Sequence, residues 1–81
     1  MNIYVGNLAW EVTDKDLENL FGYFGEVSSA VVITDGRSGK SKGFGFVEMA
    51  DEKKGSIAVE KLNNTEFKER KLIVNEAKPK S

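Results

Sequence analysis

The chain has 81 residues, of which 40% are hydrophobic and 31% are charged, enough for one small domain with a single apolar core. It contains no cysteine and no histidine, so disulfides and thiolate metal sites are excluded and the commonest general base is missing. The net charge of −1 argues at first sight against nucleic acid as a ligand.

The charges are distributed unevenly along the chain. Residues 1–36 carry six acidic side chains and one basic side chain, whereas residues 37–81 carry eleven basic and seven acidic ones. Arg37, Lys40 and Lys42 follow one another in a stretch without any acid. A basic loop therefore exists in spite of the acidic total, and a nucleic-acid ligand remains compatible with the sequence.

The sequence shows no secretory signal pattern and no apolar run approaching the length of a membrane span. We therefore expect a cytoplasmic protein that does not associate with membranes. The absence of metal-ligand clusters and of a nucleophile–base pair leads us to expect no catalytic residues, no metal and no cofactor.

The first predicted elements are a strand and an amphipathic helix. In "NIYVG", Ile3 and Val5 alternate with polar or aromatic neighbours, as in a strand with one buried face. The period then changes, and an apolar stripe of helical spacing is formed by Leu17, Leu20, Phe21 and Phe24. Thr13 suits the N-cap with Asp16 as its capping-box partner, and Gly25 is predicted to end the helix in the left-handed conformation.

The second half of the chain predicts two strands, a helix and a last strand. "SSAVVIT" is β-branched and runs into a turn at Asp35 and Gly36, and "GFGFVEM" follows as the third strand. Asp51 is the expected N-cap of a second helix, whose apolar stripe comprises Gly55, Ala58, Val59 and Leu62. Asn63 and Asn64 should end this helix, and "KLIVNE" is the last strand.

The order β-α-β-β-α-β predicts the α+β class. Its expected architecture is the ferredoxin-like split βαβ sandwich, in which a four-stranded antiparallel sheet carries both helices on one face. Residues 1–78 are assigned to this domain, and residues 79–81 to a short polar tail.

The stretch "SGKS" (residues 38–41) raises the possibility of a phosphate-binding loop. That motif requires a glycine five residues before Gly39, where this chain has Thr34, and its lysine must open a helix. Here the lysine precedes a predicted strand. A nucleotide-hydrolysing site is therefore rejected.

The third strand places two phenylalanines on one face. Phe44 and Phe46 alternate with Val47 and Met49, just as Tyr4 alternates with aliphatic neighbours in the first strand. If the aliphatic residues face the helices, the three rings lie on a face that nothing in the chain can cover, which is typical of a binding surface. Parity alone leaves two alternatives: the rings belong to the core, or the open face is buried in a dimer.

The stretch "KGFGFVEM" (residues 42–49) resembles the octapeptide signature of the RNA recognition motif family at seven of eight positions, with Met49 in place of an aromatic residue. "IYVGNL" (residues 3–8) is similar to the partner hexapeptide of that family. The resemblance implies the sheet order 4-1-3-2, with these two strands adjacent at the centre. It is strongest to single-domain bacterial-type and glycine-rich-type RNA-binding proteins.

The resemblance also implies roles for individual residues. Phe44, Phe46 and Tyr4 would stack on bases or sugars, and Lys42 would contact a phosphate. Ile33, with Val31, would flank the rings, and the opposite edge would be lined by Ile73, Asn75 and Lys78. Arg37 and Lys40 would clamp the RNA backbone, unless they belong to a merely solvated loop.

We therefore expect a monomeric module that binds single-stranded RNA with modest sequence preference and does not change its ligand covalently. It would serve as a post-transcriptional regulator or RNA chaperone. Binding of single-stranded DNA and a protein-interaction role on the same fold are the alternatives. Trp10 is expected to be a packing residue, Ile57 an exposed aliphatic residue, and Glu69 stands where the family often has a turn glycine.

Overall fold

The computed structural model describes residues 1–77, so Lys78 and the assigned tail lie outside the described residues. Its elements in chain order are β1 Asn2–Gly6, α1 Asp14–Gly22, β2 Val27–Thr34, β3 Ser41–Met49, α2 Glu52–Leu62, β4 Glu66–Phe67, β5 Arg70–Lys71 and β6 Ile73–Glu76. The six expected elements are all present. The short β4 and β5, which precede the last strand, were not foreseen.

The main sheet has the strand order β2-β3-β1-β6, and all of its pairings are antiparallel. Since β6 is the expected fourth strand, this is the order 4-1-3-2. The strands β1 and β3, which carry the two signature segments, are adjacent at the centre. The ferredoxin-like α+β fold is confirmed.

The core lies between one face of the sheet and both helices. Strand residues that alternate with exposed ones are fully buried there, among them Ile3, Val5 and Val47. Leu17 and Phe21 of α1 and the stripe of α2 cover them. Burying one such side chain stabilises the folded state by about 1.5–3 kcal/mol, so packing of this face of the sheet against the helices is strongly favoured.

The start of α1 follows the predicted capping box. Asp16 N donates to Thr13 Oγ1 at 3.2 Å, and Thr13 N donates to Asp16 Oδ2 at 3.0 Å. The Thr13 amide, helped by the nearby Lys68 ammonium, lowers the pKa of the Asp16 carboxyl below its usual value. These two hydrogen bonds satisfy backbone amides at the start of the helix, which have no partner within the helix itself.

The predicted role of Gly25 is wrong. The helix ends at Gly22, its C-cap Tyr23 is right-handed, and Phe24 N donates to Phe21 O at 3.0 Å in a tight last turn. Gly25 has no positive φ. Instead, a Cβ there would lie 2.7 Å from the Lys54 side chain, so the glycine allows the chain to pass close to α2.

The second helix begins and ends as expected. Asp51 is the N-cap and accepts a hydrogen bond from Lys54 N at 3.0 Å, and Asn64 adopts a left-handed φ of 68° after the last turn. Gly55 is buried, and a Cβ there would overlap the Met1 sulfur. The mid-helix glycine is therefore explained by close packing against the N-terminal residue.

The hairpin formed by β4 and β5 turns through two residues with positive φ, Lys68 at 51° and Glu69 at 69°. Two consecutive left-handed residues are the signature of a type I′ turn, which favours asparagine and glycine. Neither is present, and each such residue costs roughly 1–2 kcal/mol.

We expect Glu69→Gly to stabilise the protein by about 1 kcal/mol, because glycine adopts this conformation without steric cost. A thermal melt should show a rise of about 4–8 °C in Tm. Glu66→Gly, three residues earlier in β4, is the matched control and should lower Tm. An equal response of the two variants would contradict the assigned turn.

Candidate nucleic-acid interface

The face of the sheet opposite the helices carries a continuous row of side chains across all four strands. Phe46 of β3 pairs with Val31 on one side and with Tyr4 on the other, and Tyr4 in turn pairs with Asn75 of β6. Phe46 is 37% exposed, while Tyr4 is half-buried and Asn75 is exposed. None of these side chains belongs to the core, so the alternative that the rings face the helices is excluded.

Tyr4, Phe44 and Phe46 form a compact cluster, called here the aromatic surface. The ring centroids of Tyr4 and Phe44 are 6.0 Å apart with an interplanar angle of 29°. Phe46 lies edge-on to both, at 5.9 Å from Tyr4 and 6.1 Å from Phe44. The rings hold one another in place, and their uncovered faces and edges are available to flat ligands.

Two glycines allow close approaches in this part of the sheet, one beneath the Tyr4 ring and one between β2 and β3. A Cβ on Gly6 would lie 2.6 Å from the Tyr4 hydroxyl oxygen and 2.8 Å from the ring, which shows that Tyr4 extends over Gly6. A Cβ on Gly45 would overlap the Val31 carbonyl oxygen, so β2 and β3 could not approach as closely. The role of Gly6 was not foreseen from the sequence.

A bulge at the start of β3 interrupts the alternation of side chains. Between the pairs Val32 with Gly45 and Thr34 with Ser41, one residue of β2 lies opposite three residues of β3. Gly43, in this bulge, has a φ of 86°, and its carbonyl accepts from Leu8 N at 2.8 Å. This hydrogen bond ties the chain after β1 to the signature segment.

The residues predicted to flank the rings lie in two places, around the bulge and on the opposite edge of the sheet. Lys42 is exposed directly before Gly43, and Ile33 is half-buried in the part of β2 that faces the bulge. On the other edge, Ile73 is exposed and pairs with Gly6, on the same face as Tyr4. Lys78, the remaining predicted contact on that edge, lies outside the described residues.

The β2–β3 loop is a closed turn that carries two exposed bases, Arg37 and Lys40. The Asp35 carboxylate accepts from Arg37 N at 2.8 Å and from Ser38 N at 3.1 Å, and Asp35 N donates to Lys40 O at 2.7 Å. The first two hydrogen bonds lower the pKa of Asp35. The loop leads into a strand rather than a helix, so the structure also argues against the hypothesis of a phosphate-binding loop.

Within residues 1–77, the salt bridges join Lys15 to Glu18 and Lys68 to Asp16. The side chains of Arg37, Lys40 and Lys42 take part in neither. Their charges are therefore available to an anionic ligand near the aromatic surface.

The sequence did not indicate a polar contact at the end of β1. Asn7 is left-handed with a φ of 57°, its Nδ2 donates to Lys71 O at 2.6 Å, and Arg70 donates to its Oδ1 at 3.0 Å. The contact fixes a guanidinium beside the end of β1. Only the tolerance of asparagine for positive φ could have hinted at it, since the partners lie 63 residues apart.

The expectation that Trp10 is a packing residue is wrong, because its side chain is 77% exposed. Leu8, Ala9 and Val12 fill the core next to it, and a turn in which Val12 N donates to Ala9 O at 3.0 Å directs the intervening residues outward. Ile57 is exposed as expected.

In the described part of the chain, no helix is long and apolar enough to cross a membrane. No group of three potential metal ligands is found among residues 1–77 either.

A ferredoxin-like sheet with two helices on one face and clustered rings on the other defines a class of small ligand-binding domains. The RNA recognition motif family matches residues 3–73, and the chain belongs to that family. It is 46% identical over 80 residues to RbpF of Nostoc sp., a match that covers 99% of this chain and 76% of that protein.

Solved structures agree with this assignment. The crystal structure of the RNA-binding protein PG1 is 53% identical, with a TM-score of 0.95 over 100% of this chain and 98% of that one. A Sex-lethal protein–RNA complex is 29% identical, with a TM-score of 0.92 over 99% of this chain and 48% of that one. The fold and the family are thus consistent with each other.

Proposed function

We propose that the chain binds single-stranded RNA by stacking bases on the aromatic surface, with modest sequence preference. The observation that carries the proposal is the row from Val31 through Phe46 and Tyr4 to Asn75, an open strip that crosses the whole sheet. Such a surface takes about two or three stacked bases. The related Sex-lethal protein was solved as an RNA complex, which supports the proposal.

The surroundings of the aromatic surface suit a nucleic acid. Arg37, Lys40 and Lys42 bring positive charge to one end, where they can contact phosphates. Asn75 presents both a donor and an acceptor to a base edge. Stacking and phosphate contacts involve no covalent change of the RNA. We further propose that the protein is a cytoplasmic monomer. Its role would be that of a post-transcriptional regulator or an RNA chaperone.

A second candidate is a protein-interaction role on the same fold, favoured by the acidic balance of the chain. A third ligand, single-stranded DNA, shares the stacking chemistry because stacking does not inspect the 2′-hydroxyl. These ligands differ in their response to salt and to sugar chemistry.

The deciding experiment titrates a random short RNA pool at two salt concentrations. If three phosphates are contacted, the logarithm of the affinity should fall with the logarithm of salt with a slope of about −2. Absence of binding at low salt would overturn RNA binding and favour a protein partner. Equal affinity for a matched DNA pool would extend the ligand to both nucleic acids.

Gly6→Ala provides a test of the Tyr4 position. The added methyl would lie within 3 Å of the Tyr4 ring and hydroxyl, so the ring would have to leave its position over Gly6. We expect RNA affinity to fall by up to about 1–3 kcal/mol, the value of one stacked base, in a fluorescence anisotropy titration. Gly22→Ala, where a Cβ meets nothing within 4 Å, is the control and should bind normally.

A further inference from the structure

Trp10 is a large apolar side chain with no structural role in the described part of the protein. It is 77% exposed, and none of the aromatic pairs among residues 1–77 includes it. By contrast Tyr23, which is 87% exposed at the far end of α1, has the Phe24 ring edge-on at 5.3 Å. The exposure of Trp10 leaves its indole free for a ligand.

The position of Trp10 makes it continuous with the candidate interface. It lies two residues after Leu8, whose amide donates to the Gly43 carbonyl at 2.8 Å. Gly43 is in turn the direct neighbour of Phe44, a ring of the aromatic surface, and of the exposed Lys42. The segment that carries Trp10 therefore begins at the edge of the surface proposed to bind RNA.

The same end of the sheet carries positive charge. β1 ends here, and so does β2, since β1 and β2 are both antiparallel to β3. The basic side chains gathered at this end are Arg37 and Lys40 in the β2–β3 loop, Lys42, and Arg70 beside Asn7. An RNA strand leaving the aromatic surface in this direction would meet cations that attract its phosphates.

The acidic neighbours of Trp10 define which part of a nucleotide fits there. Glu11 adjoins it in the chain, and Asp14, whose carboxylate accepts from Val32 N at 2.7 Å, begins α1 four residues after it. Carboxylates repel a phosphate but tolerate an uncharged base. The local chemistry therefore suits stacking by the indole rather than contact with the RNA backbone.

We propose that Trp10 stacks on one further base of the bound RNA, which extends the footprint beyond the aromatic surface. The inference rests on the proposed RNA binding and adds a position outside the sheet. Stacking of a base on an aromatic side chain tolerates any sequence, so this position lengthens the footprint without adding base specificity.

Because Trp10 is the only tryptophan, its fluorescence reports directly on this position. The wild-type protein is titrated with an oligouridine octamer and a trimer, and emission is followed together with anisotropy of labelled RNA. Trp10→Ala and Trp10→Phe are compared with Tyr23→Ala, which removes another highly exposed aromatic side chain at the other end of α1.

We expect the octamer to quench the indole emission, and Trp10→Ala to lose about fivefold or more in octamer affinity, the lower end of the stacking range. The trimer, which the aromatic surface alone can hold, should bind Trp10→Ala and wild type alike. Trp10→Phe should recover part of the octamer affinity, and Tyr23→Ala should behave as wild type.

Two results would overturn the inference, and they can be told apart. Octamer binding that leaves both the emission and the Trp10→Ala affinity unchanged removes Trp10 from the interface but leaves the aromatic surface as the RNA site. If the wild-type protein binds neither oligomer, the proposed function itself fails, and the inference fails with it.

Discussion

Replacing both Phe44 and Phe46 with alanine is expected to weaken RNA binding by about 2–6 kcal/mol, because each ring offers a stacking surface worth about 1–3 kcal/mol. The rings are on the open face and outside the core, so the fold should survive. Anisotropy titration with short RNA measures the loss of affinity, and circular dichroism checks the secondary structure.

The controls for this double variant separate binding from folding. Tyr23→Ala removes an exposed ring away from the sheet and should leave RNA affinity unchanged. Phe21→Ala removes a fully buried ring and should lower the free energy of unfolding by about 3–5 kcal/mol. A comparable loss of stability in the Phe44 and Phe46 variant, with unaltered RNA affinity, would show that these rings serve the fold rather than a ligand.

Gly45→Ala is expected to have the largest effect on stability among the glycine variants. The new methyl would overlap the Val31 carbonyl oxygen and lie 3.1 Å from Leu17 Cδ1 and from Val32 Cα. Backbone atoms of a central sheet cannot rotate away as a side chain can, so β2 and β3 would have to separate. We expect the free energy of unfolding to fall by about 1–3 kcal/mol in a urea titration.

Gly36→Ala is the matched control for Gly45→Ala. A Cβ at Gly36 meets nothing within 4 Å, and its φ is not in the left-handed region. Its unfolding free energy should stay the same or rise by about 0.4–1 kcal/mol, because alanine restricts the unfolded chain. If Gly45→Ala were as stable as Gly36→Ala, the close approach of β2 to β3 would be contradicted.

The glycines of the two signature segments thus have different tasks. Gly45 faces the core side of the sheet and sets the distance between two strands, so its substitution should act on stability. Gly6 lies under the Tyr4 ring on the open face, so its substitution should act on binding. Comparing the two glycine-to-alanine variants therefore distinguishes an effect on stability from an effect on RNA affinity.

Much of the fold could be predicted from the sequence because it depends on local period. Alternation with a period of two placed Phe44 and Phe46 on one face of their strand and Tyr4 opposite its aliphatic neighbours, and helical spacing predicted a stripe that contains Leu17 and Phe21. Which face of the sheet meets the helices was left open by parity alone. The capping box at Thr13 is likewise a contact within one turn. Two signature segments then indicated the family, the order of the strands and the residues around the rings.

Contacts between distant parts of the chain were decided only by the tertiary structure. The sequence predicted that Trp10 packs, yet shorter neighbours fill the core and leave the indole exposed. Gly25 was assigned to a helix end, but its lack of a side chain leaves room for the Lys54 side chain of α2. In both cases the prediction was wrong because the surroundings of the residue depend on elements far along the chain.

The sequence by itself therefore determined the order of elements, which side chains share a face of each strand, and the family, since each follows from patterns of a few neighbouring residues. The tertiary structure alone decided where Tyr4 lies over Gly6, how Asn7 holds Arg70, and which way Trp10 points. The physical reason is that backbone periodicity is local, whereas loop placement and ring contacts depend on how all the elements pack together.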